Sequence, residues 1–136
     1  MTLVLTYRVP AFADCSRSLC SLRAPWLDFT AETVGRDQRR FPLFWQMPRR
    51  DSVTIDLFFP KTFDVAATPQ PVSSTGAGAA LNVQSENVTD WHARLTLDYQ
   101  RVDVDAEQTA YSALKACLET RAATGRQYWV WERRTR

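Results

Sequence analysis

The sequence predicts an α+β fold. Its expected core is mainly an antiparallel β-sheet, or sandwich-like, with one well-formed C-terminal helix and a short N-terminal helix. Three observations carry this. Trp91, Ala93, Leu95, Leu97 and Tyr99 alternate with His92, Arg94, Thr96, Asp98 and Gln100, the period of a half-buried strand. Val53, Ile55, Leu57 and Phe59 alternate in the same way with Thr54, Asp56 and Phe58. Ala110, Tyr111, Leu114, Cys117 and Leu118 recur instead at helical spacing.

Length and composition frame those elements. A chain of 136 residues suits one domain over 1–136, and 45% apolar residues match a globular core. The net charge of +2 is too small to argue for nucleic acid or a lipid surface. No apolar run reaches about 18 residues, so no membrane partner is expected.

Taken in order, Thr2 to Val9 alternates as a strand, and Pro10 ends it. Ala11-Phe12-Ala13 resembles a signal-peptidase site, but no positive charge precedes the apolar part and Arg8 interrupts it. The expected location is therefore cytoplasmic or within an assembled particle. Asp14 to Arg23 reads as the short helix, capped by Asp14, with Cys15, Leu19 and Leu22 on one face and Pro25 as its stop. On such a helix Cys15 and Cys20 point about 140° apart. With Cys117 they make an odd count, expected as free thiols. Trp26 to Gln38 reads as a helical turn or an irregular covering segment, with Gly35 against a long helix.

Phe41 to Phe59 holds the densest apolar content and reads as a central hairpin, turning at Pro48 to Asp51. From Pro60 to Ala80 the composition shifts to Pro, Ser, Thr, Gly and Ala, which predicts a long loop or arm. Leu81 and Val83 share the parity of Trp91, while Ser85 to Asp90 reads as a turn. The slip in parity at Val102 and Val104 implies a bulge or a strand end. Asp105 and Gln108 have the spacing of a capping box, and Gly125 suits the helix C-terminus. Gln127 to Glu132 is a last strand before the tail Arg133-Arg134-Thr135-Arg136.

Residues that could carry chemistry do not assemble into a motif. His92 is the sole histidine, placed on the polar face of its strand without a nucleophile motif nearby. Three cysteines and His92 have loose spacing for zinc, and Cys117 lies on an apolar helix face. Asp103 and Asp105, with Asp98, suit a helix N-terminus better than a hard-cation site. Gly76-Ala77-Gly78 lacks the third glycine of a dinucleotide loop, and Asn87-Val88-Thr89 matches a glycosylation acceptor without a secretory signal. No catalytic residue, metal ligand or cofactor is expected, and the chain reads as non-enzymatic.

Binding is the better expectation. Only Lys61 and Lys115 among the cations are lysine. Arginine suits planar interface contacts, and the pairs Arg39-Arg40, Arg49-Arg50 and Arg133-Arg134 stand out. Trp129 and Trp131 share one face of the last strand, with Tyr128 and Val130 on the other. Such a strand is either central or pressed against a partner. The interface candidates are Arg49, Arg50, Thr68, Pro69, Pro71, Gly76, Gly78, Trp129, Trp131, Arg133, Arg134 and Arg136. The strand–helix–strand ending, Trp91 to Glu132, resembles the ending of phage tail-tube and tail-terminator subunits. That resemblance implies a ring of identical subunits and neighbours above and below. The expected function is a structural or assembly subunit whose partners are copies of itself or other protein subunits. A monomeric protein-binding module of the inhibitor or immunity type is the alternative. A small nucleic-acid-binding domain is a third, weakened by Asp37, Asp51 and Glu132 among the arginines.

Overall fold

The computed structural model describes residues 12–23, 34–35, 38, 40–41, 43–44, 47–102, 105–106 and 108–134. The expected strand at 2–9, most of the covering segment at 26–38, Asp103 and Arg136 lie outside them.

The chain is a mostly antiparallel β fold with one α-helix among the described residues. The strands are β1 (Asp14–Cys15), β2 (Leu19–Arg23), β3 (Leu43–Phe44), β4 (Arg49–Phe58), β5 (Phe63–Ala67), β6 (Val72–Gly76), β7 (Ala79–Thr89), β8 (His92–Arg101), β9 (Asp105–Ala106) and β10 (Tyr128–Arg133). A 3₁₀ turn, Gln108–Ala110, leads into α1 (Tyr111–Thr124). One sheet has the order β4-β8-β7-β6, a second β1-β2-β10-β5, and β3 with β9 forms a two-stranded ladder.

Strand β8 organises the first sheet. Its odd-numbered residues Ala93, Leu95, Leu97 and Tyr99 are buried, as the alternation predicts. Val53, Ile55 and Leu57 of β4 stand opposite Leu97, Leu95 and Ala93, and Leu81 and Val83 of β7 opposite Tyr99 and Leu97. This odd face is the core side. The even face is left open and carries Ser, Thr, Asn, Gln and charged residues. Buried Trp129 and Trp131 bring the second sheet into the same core, where the Trp131 and Phe59 rings lie 4.6 Å apart.

Several expectations fail, among them the turn at Ser85 to Asp90, where Ser85 to Thr89 instead form the end of β7. The short N-terminal helix is a β-hairpin: Ser16 N–H donates to the Leu19 carbonyl at 2.8 Å, and Cys15 stands opposite Cys20. Cys20 and Leu22 alternate into the core against Trp131 and Trp129. A period of two matched to β10 therefore outweighs a helical spacing read from three residues. Directly opposed across the hairpin, with Cα atoms 4.1 Å apart, Cys15 and Cys20 form a disulfide rather than free thiols. Disulfides persist in oxidising surroundings. Cys117 remains a buried free thiol, and burial raises its pKa.

The central hairpin is also replaced. β4 pairs along its whole length with β8, while Leu43–Phe44 pairs with Asp105–Ala106. That second pairing draws Asp105 into a strand, so the helix starts at Tyr111 without a side-chain cap. Finally, the segment at 60–80 carries β5 and β6. Its Ser, Thr and Ala residues suit an edge, where one side needs no bulk. Ala77 (φ 46°) and Gly78 (φ 72°) make the two-residue β6–β7 turn with both central residues left-handed, the type I′ geometry.

The helix docks at two points. Gly76 ends β6 where a Cβ would lie 2.5 Å from the Ala113 carbonyl oxygen, so only glycine allows that approach. Arg121, 6% exposed, directs its guanidinium into the helix–sheet seam, donating to Asp51 of β4 and lying 4.2 Å from the centre of the Tyr99 ring. Burial lowers the Arg121 pKa and the Asp51 carboxylate opposes that shift. Arg23 Nε caps the far end of the helix at the Gly125 carbonyl, 2.7 Å away.

Asp51→Ala removes the carboxylate facing a buried guanidinium, and urea denaturation is expected to show a loss of about 3 kcal/mol. Ala77→Asn relieves a left-handed alanine and is expected to raise stability by about 1 kcal/mol in the same assay.

Candidate protein interface

The corner where β4, the β7–β8 turn, the 60–62 turn and the end of β10 meet gathers exposed aromatic and basic side chains. Phe58 is the last residue of β4 and falls on the open face by parity, 64% exposed. Its ring stacks on His92, with centroids 4.3 Å apart and planes 17° from parallel. Trp91 follows Asp90 in the turn that reverses the chain into β8. It is 37% exposed and 5.8 Å from the Phe58 ring. Its carbonyl accepts from Phe59 N–H at 2.8 Å, which ties the turn to the end of β4. Lys61 Nζ lies 5.3 Å from the centre of the Trp91 ring, a cation–π placement.

The tail completes the corner. Arg134 N–H donates to the Thr62 carbonyl at 3.0 Å, and its guanidinium bridges Asp64 at 2.6 Å and Asp90 at 3.4 Å. Hydrogen bonding to Asp64 raises the Arg134 pKa. Arg133 N–H donates to the Ser18 carbonyl at 2.7 Å, and its guanidinium lies 5.5 Å from the Phe63 ring centre. Lys61, Thr62, Arg133 and Arg134 line a notch of about 630 Å³.

Beneath the aromatics lies a polar cluster. Asp56 accepts from Arg94 Nε at 2.8 Å and lies 2.7 Å from His92 Nε2. Hydrogen bonding to Arg94, then to His92, lowers the Asp56 pKa. His92 is only 9% exposed, against the exposed position expected for it. Phe58, its direct cross-strand partner, covers it. Among the described residues no group of His, Cys, Asp and Glu has the arrangement of a metal site.

The residues singled out from sequence scatter around the molecule. Arg133 and Arg134 stand at the corner. Arg49 and Arg50 open β4 at its other end, nine residue steps or about 30 Å away, so these two arginine pairs form no single patch. Arg49 bonds Asp51 at 2.9 Å. Arg50 rims a depression of about 340 Å³ on the open face with Ser73, Thr75, Asn82 and Gln100. Thr68, Pro69 and Pro71 connect β5 to β6. Pro69 is buried, and the neighbouring Gln70 N–H donates to the Gln127 side chain. Gly76 and Gly78 serve the helix contact and the turn. Trp129, with none of its surface exposed, and Trp131 are core residues.

Sequence reasoning missed Phe58, Lys61 and Trp91. Parity assigned Trp91 to the core side with Ala93, but β8 begins one residue later than the alternation suggests, at His92, which leaves Trp91 in the turn. Asp90, a turn-favouring residue directly before it, was the available signal.

No family model and no curated protein matches the chain. Among solved structures it is similar to one described as a candidate protease from Parabacteroides distasonis ATCC 8503, with a TM-score of 0.68 and 8% identity. The match covers 85% of this chain and 24% of that one, so this chain spans about a quarter of the other's length. Identity this low shows a shared fold alone.

The lowered Asp56 pKa sets a sign for acid stability. A carboxylate with a depressed folded pKa contributes stability above its ordinary value of 3.8 and loses it as pH falls through the folded value. The stability difference between the protein and its Asp56→Asn variant is therefore expected to shrink as the pH drops below 3.8. Thermal melts between neutral and acid pH check this.

Proposed function

We propose that this chain is a non-enzymatic assembly domain that holds other protein subunits through the corner of Phe58, Trp91, Lys61, Arg133 and Arg134. The observation that carries the reading is the exposed Phe58–Trp91 pair. Exposed aromatics beside arginines have the composition of interface hot spots, and here Phe58 ends a strand while Trp91 sits in the two-residue turn next to it. Two further points support it. The arginine notch lies directly beside the tryptophan, so one partner can engage both. A fold recurring as a quarter of a longer chain suits a module that works against neighbouring protein. The resemblance of the strand–helix–strand ending to tail-tube and tail-terminator subunits extends the reading to rings of identical copies.

A photo-crosslinking phenylalanine analogue in place of Trp91, in the cells that make this protein, tests the assignment. The expected result is a discrete protein adduct, reduced about tenfold by Arg134→Glu. Equal labelling from Gln84, which lies on the open face away from the corner, would sink the proposal, as would no adduct at all.

A further inference from the structure

Strand β4 is an edge, and it is an unusual one to leave bare. It is ten residues long, and among the described residues no strand lies along its outer side. The other outer strands are short: two residues in β1, five in β5 and five in β6, the last with α1 packed against it. Long edges are commonly blunted by proline, lysine or a bulge. Between Pro48 and Pro60 β4 has none of these, and its pairing with β8 runs without a register shift. Its inward-pointing acid, Asp51, is engaged by Arg49 and Arg121.

The hydrogen-bonding phase of the edge can be read from two bonds. Phe59 N–H donates to the Trp91 carbonyl, so odd residues of β4 direct their backbone groups to β8. Val102 N–H donates to the Gly78 carbonyl, so even residues of β8 face β7, the complementary phase. The even residues of β4, namely Arg50, Ser52, Thr54, Asp56 and Phe58, therefore present N–H and C=O groups outward.

A second copy running antiparallel must pair even residues with even residues. Placing the two-fold axis at Val53 does so and sets Arg50 of each copy opposite Asp56 of the other. Ser52 then meets Thr54, and half-buried Val53 meets its own copy. Moving the axis to Thr54 sets Asp56 against Ser52 and Arg50 against Phe58, which loses both charge pairs. Charge complementarity thus selects one register.

We propose that β4 pairs with β4 of a second copy about a two-fold axis at Val53, joining two four-stranded sheets into one continuous sheet. Of the aromatic corner only Phe58, at the end of β4, borders this edge, whereas Trp91 lies in the turn before β8, so variants at Trp91 separate the two assignments.

Light scattering after size exclusion, over concentrations up to on the order of 1 mM, measures the mass. A concentration-dependent dimer is expected. Thr54→Pro removes an outward N–H that β8 does not use, so it should give a monomer with an unchanged circular dichroism spectrum. Val53→Cys should form a disulfide-linked dimer on oxidation, as opposed strand residues do at Cys15 and Cys20. Thr54→Cys, which faces Ser52, should not. Trp91→Ala should leave the dimer intact. A monomer at every concentration overturns the proposal. So does a dimer that survives Thr54→Pro, equal cross-linking from positions 53 and 54, or loss of the dimer in Trp91→Ala.

Discussion

Arg121 carries a charge into the seam between helix and sheet, and the arrangement around it follows from satisfying that charge. A guanidinium removed from water is costly unless a carboxylate meets it. Asp51 meets it from β4, at the sheet edge, and the Tyr99 ring lies against its face. The helix is therefore fixed in both rotation and height above the sheet. Leu114 and Cys117 then fall onto the core side, and the Cys117 thiol donates to the Ser74 carbonyl of β6. The bare Gly76 lets the helix backbone close on that same strand. Because the charge enters from one side only, α1 can cover the odd face of the sheet and leave the even face to solvent.

That division also positions the candidate interface. Residues on the open face need not be apolar, so Asp56, Arg94 and His92 can form a hydrogen-bonded cluster at the strand ends. Phe58 closes over His92, and the two-residue turn places Trp91 beside it. The end of β10 arrives at the same corner because β10 pairs with β5, which begins just after the 60–62 turn. Arg133 and Arg134 are thus neighbours of Trp91 through sheet pairing, over separations that no local sequence window spans.

Much of the fold was legible in the residues. The alternation from Ala93 to Tyr99 marked a strand whose odd side is buried. Tyr111, Leu114, Cys117 and Leu118 marked the buried side of the helix. What failed was partner choice. Phe41 to Phe59 reads as a hairpin because two apolar runs flank a polar break, yet β4 is matched residue for residue by β8. The Ser- and Thr-rich segment before Ala79 was illegible as strand because an edge asks little of its side chains. Of the candidate site, Arg133 and Arg134 were recognisable as exposed cations; Phe58 had the parity of the open face without being singled out, and Trp91 had the parity of the core.

The sequence by itself determined which residues seek burial and with what period, since that depends only on side-chain polarity and local backbone geometry. It determined the β-rich class, the last helix and the last strand in that way. Only the tertiary structure decided which strand lies beside which, whether Cys15 meets Cys20, and which aromatics stay at the surface. Those outcomes depend on long-range pairing, where a partner far along the chain supplies or withholds the surface that covers a side chain.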